Sequence, residues 1–131
     1  MPMFAPASTV KALQRDAEDL LIPAGSVIFS EGEAAAEMYG ILAGEVELKV
    51  GDRTVEVLQA GDVFGEGALV QAQKFRATTA IARQDCRLAR LDRRRFLFAI
   101  QETPTFALDV IRSFSRRLRA LKNAKLTTAS H

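Results

Sequence analysis

Apolar and polar positions follow two different rhythms along this chain. Val10, Leu13, Ala17, Leu20 and Leu21 recur at spacings of three and four behind Ser8, which predicts a helix capped by Ser8 and running to about Leu21, where Pro23-Ala24-Gly25 ends it. From Ser26 to Leu91 the period drops to about two, as in Val46, Leu48 and Val50 or in Val55 and Val57, with breaks at Gly32, Gly44, Gly51-Asp52 and Gly61-Asp62. Short strands divided so regularly by glycine turns predict an antiparallel β jelly-roll barrel, with Gly51-Asp52-Arg53 as its tightest hairpin.

Helical spacing returns after Leu91. Asp92 suits the cap of a helix from Arg93 to Gln101, and Thr103-Pro104 suits the cap and first turn of a longer one. The longer helix carries Ala107, Ile111, Phe114, Leu118 and Leu121 as a four-three-four-three stripe, which wants either the barrel or a second copy of itself as a partner. The predicted fold class is therefore mainly β with flanking helices. A single domain spans residues 1–131, with a barrel over about 22–91, C-terminal helices over about 92–123, and a frayed tail from Thr127 to His131.

Composition narrows the classes. With 131 residues, 48% hydrophobic and 26% charged, the chain has an ordinary globular make-up and can bury one core without staples. Cys86 is the only cysteine, so no disulfide framework exists, and Met1-Pro2-Met3-Phe4-Ala5-Pro6 lacks a basic region followed by a long apolar core. A cytoplasmic protein is expected, with no membrane partner, because no apolar run approaches about 18 residues. The initial methionine favours a whole gene product. The net charge of +2 conceals a split, −6 over residues 1–82 and +8 over residues 83–131, which reads as arginines on solvated helix faces.

The richest chemistry lies in Phe64-Gly65-Glu66-Gly67-Ala68-Leu69 and, ten positions after Glu66, in Arg76-Ala77-Thr78-Thr79. Glycines let a turn approach a ligand closely, and the free N–H groups of a turn leading into a short helix suit a phosphate. A carboxylate beside them can accept hydrogen bonds from sugar hydroxyls, and an arginine fork neutralises the phosphate. Arg76 sits in an apolar and small run, Phe75 to Ile81, that reads as a strand entering the core, so its charge needs a designated partner. The arrangement points to a pocket for a small ribose phosphate.

These residues resemble the phosphate-binding cassette of the cyclic nucleotide-binding domain family, Phe-Gly-Glu-x-Ala-Leu followed after about nine residues by Arg-x-Ala-Thr. Further similar blocks are Phe29-Ser30-Glu31-Gly32-Glu33, Met38-Tyr39-Gly40-Ile41, Gly44-Glu45-Val46 and Leu91-Asp92 with Phe96, so the resemblance covers roughly residues 20–123. It implies that Glu66 accepts the ribose 2′-hydroxyl, that Arg76 holds the phosphate, and that Gly65, Gly67, Ala68 and Ala77 act through backbone N–H groups next to Phe64. It also implies a short cassette helix and a C-terminal lid helix that moves on binding and in some members dimerises. Leu48 matches a position that packs on the purine, though a core leucine is its default, and Arg117 stands where some relatives place a residue that stacks on the base. Gly67 departs from the family, where a larger apolar residue is usual. Relatives that prefer guanine often carry a hydroxyl directly after the arginine; Ala77 has none, which leans toward cAMP over cGMP, while Thr78 adds a hydroxyl nearby.

The implied protein is a stand-alone cyclic mononucleotide sensor that signals through an unidentified downstream protein or a homodimer of its C-terminal helix. The alternative is an interaction module of the same fold without a ligand. An enzyme of the cupin type is not expected, since His131 is the only histidine, and no metal or other cofactor is called for. Arg93-Arg94-Arg95 reads as a solvated helix end, and relatives that bind DNA use a helix-turn-helix domain beyond the long helix, so no nucleic-acid partner is expected.

Overall fold

The structure is a computed structural model that describes residues 6–14, 18–70 and 74–129. Eight strands, joined up to β7 by glycine-bearing connections, make up the sheets: β1 (Leu20–Ile22), β2 (Val27–Phe29), β3 (Glu37–Ala43), β4 (Glu45–Val50), β5 (Arg53–Gln59), β6 (Val63–Phe64), β7 (Thr79–Ala82) and β8 (Cys86–Asp92). Their pairing is nested and antiparallel. β4 pairs with β5 through the Gly51-Asp52 turn, and around that hairpin β3 pairs with β6, β2 with β7, and β1 with β8. One long hairpin is thus folded over on itself, which is the jelly-roll pattern. Two sheets result, in the orders β1-β8-β3-β6 and β2-β7-β4-β5. Among the described residues no ladder joins them, so the predicted barrel is two separate sheets facing each other.

Four helices flank the sheets: α1 (Pro6–Leu13), α2 (Gly67–Val70), α3 (Arg93–Glu102) and α4 (Thr105–Ala129). Asp92 caps α3 as predicted, its carboxylate accepting from the Arg95 N–H at 2.9 Å. Thr103 and Pro104 separate α3 from α4, and the Thr103 carbonyl accepts the Phe106 N–H at 2.9 Å.

Several expectations are corrected. α1 begins at Pro6, leaving Ser8 inside it, and ends at Leu13 rather than Leu21. Leu20 and Leu21 belong to β1, where pairing with Leu88 and Arg87 of β8 outweighs a helical spacing that the intervening polar residues do not support; Ala17 lies outside the described residues. The Gln14 side chain fills the corner, accepting the Arg90 N–H at 3.1 Å and donating to Asp19 at 2.5 Å. β7 begins only at Thr79, so residues 75–78 are not strand. α4 runs through Thr127 to Ala129, while residues 130–131 lie outside the described set.

The core has two parts. Phe29, Tyr39, Ile41, Val46, Leu48, Leu58 and Phe64 fill the space between the sheets. Val10, Met38, Val63, Leu69, Phe96, Phe106 and Val110 join α1, α3 and α4 to the other face of the β1-β8-β3-β6 sheet. Gly40 permits this second layer, since a Cβ there would stand 2.9 Å from the Cα of Ala7. The α4 stripe is rotated from its predicted face. Phe106, Val110 and Ser113 are buried, whereas Ile111, Leu118 and Leu121 are exposed.

Candidate functional site

β6 is only two residues long and delivers the chain from the buried Phe64 into a turn at Gly65. Gly65 has φ +78°, and a Cβ on it would lie 2.8 Å from Nη1 of Arg76. Both the backbone conformation and the space therefore demand glycine. Glu66 follows, half-buried, and then Gly67 and the buried Ala68 and Leu69 form α2. The Leu69 N–H closes this turn on the Glu66 carbonyl at 2.9 Å, whereas the Ala68 N–H reaches the Gly65 carbonyl only at 3.4 Å.

Arg76 arrives from a loop. Its own N–H donates to the Glu33 carbonyl and its carbonyl accepts the Gly32 N–H, each at 2.8 Å, so the segment around it is pinned to the turn after β2. This backbone clamp replaces the predicted strand. The guanidinium points inward and Arg76 is only 8% exposed, while Phe75 beside it is 65% exposed and Ala77 lies on the surface. Nη1 donates to the Gly65 carbonyl at 3.0 Å and Nη2 to the Glu37 carbonyl at 2.8 Å. Its Cζ lies 4.1 Å from the Phe29 ring centroid and 5.6 Å from that of Tyr39. Phe29, Tyr39 and Phe64 form one aromatic platform, with centroid separations of 5.3 to 6.1 Å. No carboxylate among the described residues forms an ion pair with Arg76. A cation is thus buried on aromatic rings and fixed by carbonyls, with no carboxylate ion pair among the described residues.

Burial pushes the Glu66 carboxyl above the usual carboxylate range, and the nearby Glu56 adds to the push, while its own backbone N–H, Arg117 and Arg76 oppose it. Burial works against the charge of Arg76, with the Tyr39 hydroxyl and the Glu37 carboxylate supporting it.

On the other side of β6, α4 crosses β5 and leaves a cleft of 310 Å³ lined by residues that include Glu56, Leu58, Asp62 and Arg117. Arg117 grips Glu56 with two bonds, Nε to Oε2 at 2.5 Å and Nη2 to Oε1 at 2.9 Å, and its Nη1 donates to the Val63 carbonyl at 2.9 Å. It also lies 4.9 Å over the Phe114 ring. Burial opposes the Arg117 charge, but the bonds and charge of Glu56, joined by Glu66 and Asp62, hold its pKa above the usual value. Arg116 makes a second tie from α4, donating to Asp62 at 2.5 Å.

The predicted residues Phe64, Gly65, Glu66, Gly67, Ala68 and Arg76 are thus brought around one turn. Thr78 lies half-buried beyond the exposed Ala77, in the bend leading to β7. Leu48 is a core residue, 7% exposed and paired across the ladder with Glu56, so both side chains share the inner face. Arg117 sits on α4 but is held by Glu56. Sequence reading missed the roles of Phe29, Tyr39 and the Glu37 carbonyl in seating Arg76, and the presence of Glu56. A bulge explains the last. Leu48 pairs with Glu56 and Lys49 with Thr54, so Val55 is extra, the phase of β5 shifts, and Val57 becomes 39% exposed while Leu58 is buried.

A family model described as the cyclic nucleotide-binding domain matches residues 20–103. The cyclic AMP receptor protein of Thermus thermophilus is 33% identical over 104 residues, 76% of this chain and 48% of the relative. The Pycsar effector protein XpPycTIR of Xanthomonas perforans is 29% identical over 96 residues, 73% of this chain and 32% of the relative. The chain therefore spans about half or less of the length of these curated relatives. Among solved structures, the Thermus thermophilus catabolite activator protein aligns with a TM-score of 0.71 at 29% identity, covering 94% of this chain and 59% of that one.

Proposed function

This chain belongs to the cyclic nucleotide-binding domain family, and we propose that it is a sensor module for a cyclic purine mononucleotide. The observation that carries the reading is Arg76, a buried guanidinium seated on Phe29 that donates to two carbonyls and forms no ion pair with a carboxylate among the described residues. A buried cation of this kind is stabilised by a bound anion. A cyclic phosphate takes donors of Arg76 and the N–H groups of the Gly65 to Ala68 turn, with the Ala77 N–H alongside, and the ribose 2′-hydroxyl donates to Glu66. On this side of the ligand Ala77 offers no hydroxyl to a guanine amino group, which by itself favours cAMP over cGMP.

Binding draws on groups that now hold α4. Arg117 bonds Glu56 and the Val63 carbonyl, immediately before the cassette, so an occupied cassette shifts the balance among these contacts and thereby the position of α4. The exposed stripe of α4 then passes the signal to a partner protein or to a second copy of the chain.

Isothermal titration with cAMP and cGMP, on protein unfolded and refolded to strip carried-over ligand, tests this. One-to-one binding is expected, weakened in Arg76→Ala by about 1.5–3 kcal/mol, or about ten- to a hundredfold. Binding of neither nucleotide overturns the sensor reading in favour of a ligand-free interaction module, and undiminished affinity in Arg76→Ala removes that residue from the site.

A further inference from the structure

The phosphate and ribose contacts leave the Glu56 carboxylate unused. The bulge at Val55 turns its carboxylate onto the inner face of the sheet beside Leu48 and Leu58, at the floor of the 310 Å³ cleft under α4. That volume lies at the small end of the range for ligand pockets, about 300–1,000 Å³. The Glu56 and Arg117 side chains are only 15% and 10% exposed. A tether for α4 does not require a carboxylate there. Arg116 already ties the helix to Asp62, and Arg117 already bonds the Val63 carbonyl. Burying one more ion pair carries a desolvation cost that a tether for α4 does not need to incur.

What Glu56 accepts is informative. Nε–H and Nη2–H of Arg117 are two parallel donors flanking one planar carbon, and the two carboxylate oxygens take one each. The N1–H and 2-amino groups of guanine flank C2 in the same way, since that edge of the base is itself a guanidine. Adenine presents one donor beside a lone pair, so one carboxylate oxygen gains a bond while the other meets repulsion.

We propose that Glu56 is a base-selecting residue of the nucleotide site: when a ligand displaces Arg117, its carboxylate takes the paired donors of guanine and shifts the preference toward cGMP. The proposal rests on the sensor reading and deepens it. Arg117 in the ligand-free protein is then an internal stand-in for the base edge, and Glu56 counteracts the lean toward cAMP at Ala77.

The test is a titration of wild-type protein and Glu56→Gln with cAMP and cGMP. Glutamine keeps the shape but offers one acceptor and one donor, the pattern that suits adenine. The cGMP-to-cAMP affinity ratio is expected to fall about 5- to 100-fold in Glu56→Gln, with cGMP weakened and cAMP unchanged or strengthened. If Glu56 only tethers α4, both nucleotides change alike and the ratio holds, which overturns the proposal while leaving the sensor reading intact. Wild-type protein that binds neither nucleotide overturns both. Inosine 3′,5′-cyclic monophosphate provides a measurement that needs no variant, because it lacks the 2-amino group. Wild-type protein is expected to bind it several-fold more weakly than cGMP, and equal affinities would also defeat the proposal.

Discussion

Burial pushes the Glu66 carboxyl upward, and this has consequences for both stability and binding. In the folded, ligand-free protein Glu66 holds its proton more tightly than in the unfolded chain. Its stabilising contribution is therefore fully present below the ordinary carboxylate pKa and is lost as pH rises through the raised native value. Binding has the opposite sign, because the ionised carboxylate accepts the hydrogen bond of the ribose 2′-hydroxyl more strongly than the neutral acid does. Nucleotide affinity is expected to weaken as pH falls from neutrality through that same raised value. Glu66→Gln should remove this pH dependence, weaken binding at neutral pH by about 1.5–3 kcal/mol, and leave the ligand-free protein no less stable. Titrations at several pH values and melting curves check both, and a Glu66→Gln variant that binds normally would dismiss the ribose contact. The gathering of Glu66 and Arg76 around one turn was legible because the cassette is nearly contiguous in sequence. The rings that seat Arg76 were not, since a phenylalanine or tyrosine in a strand reads as core whether or not a guanidinium lies on it. Glu56 was hidden more deeply, because a bulge changes which face a strand residue occupies without leaving a mark in the alternation.

At the level of elements, the informative one is α4. Its buried face is Phe106, Val110 and Ser113, and the half-buried Phe114 and Arg117 continue it toward the cleft. The stripe that the sequence singled out leaves Ile111 63%, Leu118 66% and Leu121 40% exposed. The spacing was real, but a helix with apolar residues on two faces does not reveal which face the sheet will take. Phe106 won because it meets Phe96 of α3 edge-on, with ring centroids 6.0 Å apart. The face left over repeats at the interval of a coiled-coil seam, which suits a second copy of α4. Leu118→Asp is expected to weaken self-association by about 2 kcal/mol or more, since it places an unpaired charge in the seam. Sedimentation velocity across a concentration series checks this. A wild-type protein that remains monomeric at high concentration, with and without nucleotide, would rule out self-association through the stripe.

For the molecule as a whole, the β1-β8-β3-β6 sheet is the shared wall between two cores. β3 sends Met38 to the helical side and Tyr39 and Ile41 to the space between the sheets; β6 divides Val63 from Phe64, and β8 divides Leu91 from Leu88 in the same way. Tyr39, one of the two rings that seat Arg76, and the apolar bed of α4 therefore lie on the two faces of the same strands, while Phe29 reaches Arg76 from β2 of the facing sheet. Such an arrangement makes separate melting of the helical layer costly, because losing it would expose one face of the central strands. Phe106, fully buried at the centre of that layer, provides the test. Phe106→Ala is expected to cost about 3–5 kcal/mol. Tyr39 is the only tyrosine and no tryptophan is present, so tyrosine fluorescence reports on the space between the sheets while far-ultraviolet circular dichroism reports mainly on the helices. In urea the two signals should move to lower denaturant together and keep a common midpoint. If the helical signal is lost first while Tyr39 keeps its native midpoint, the two cores are independent units, and a displacement of α4 would then not require any response from the strands that carry the site.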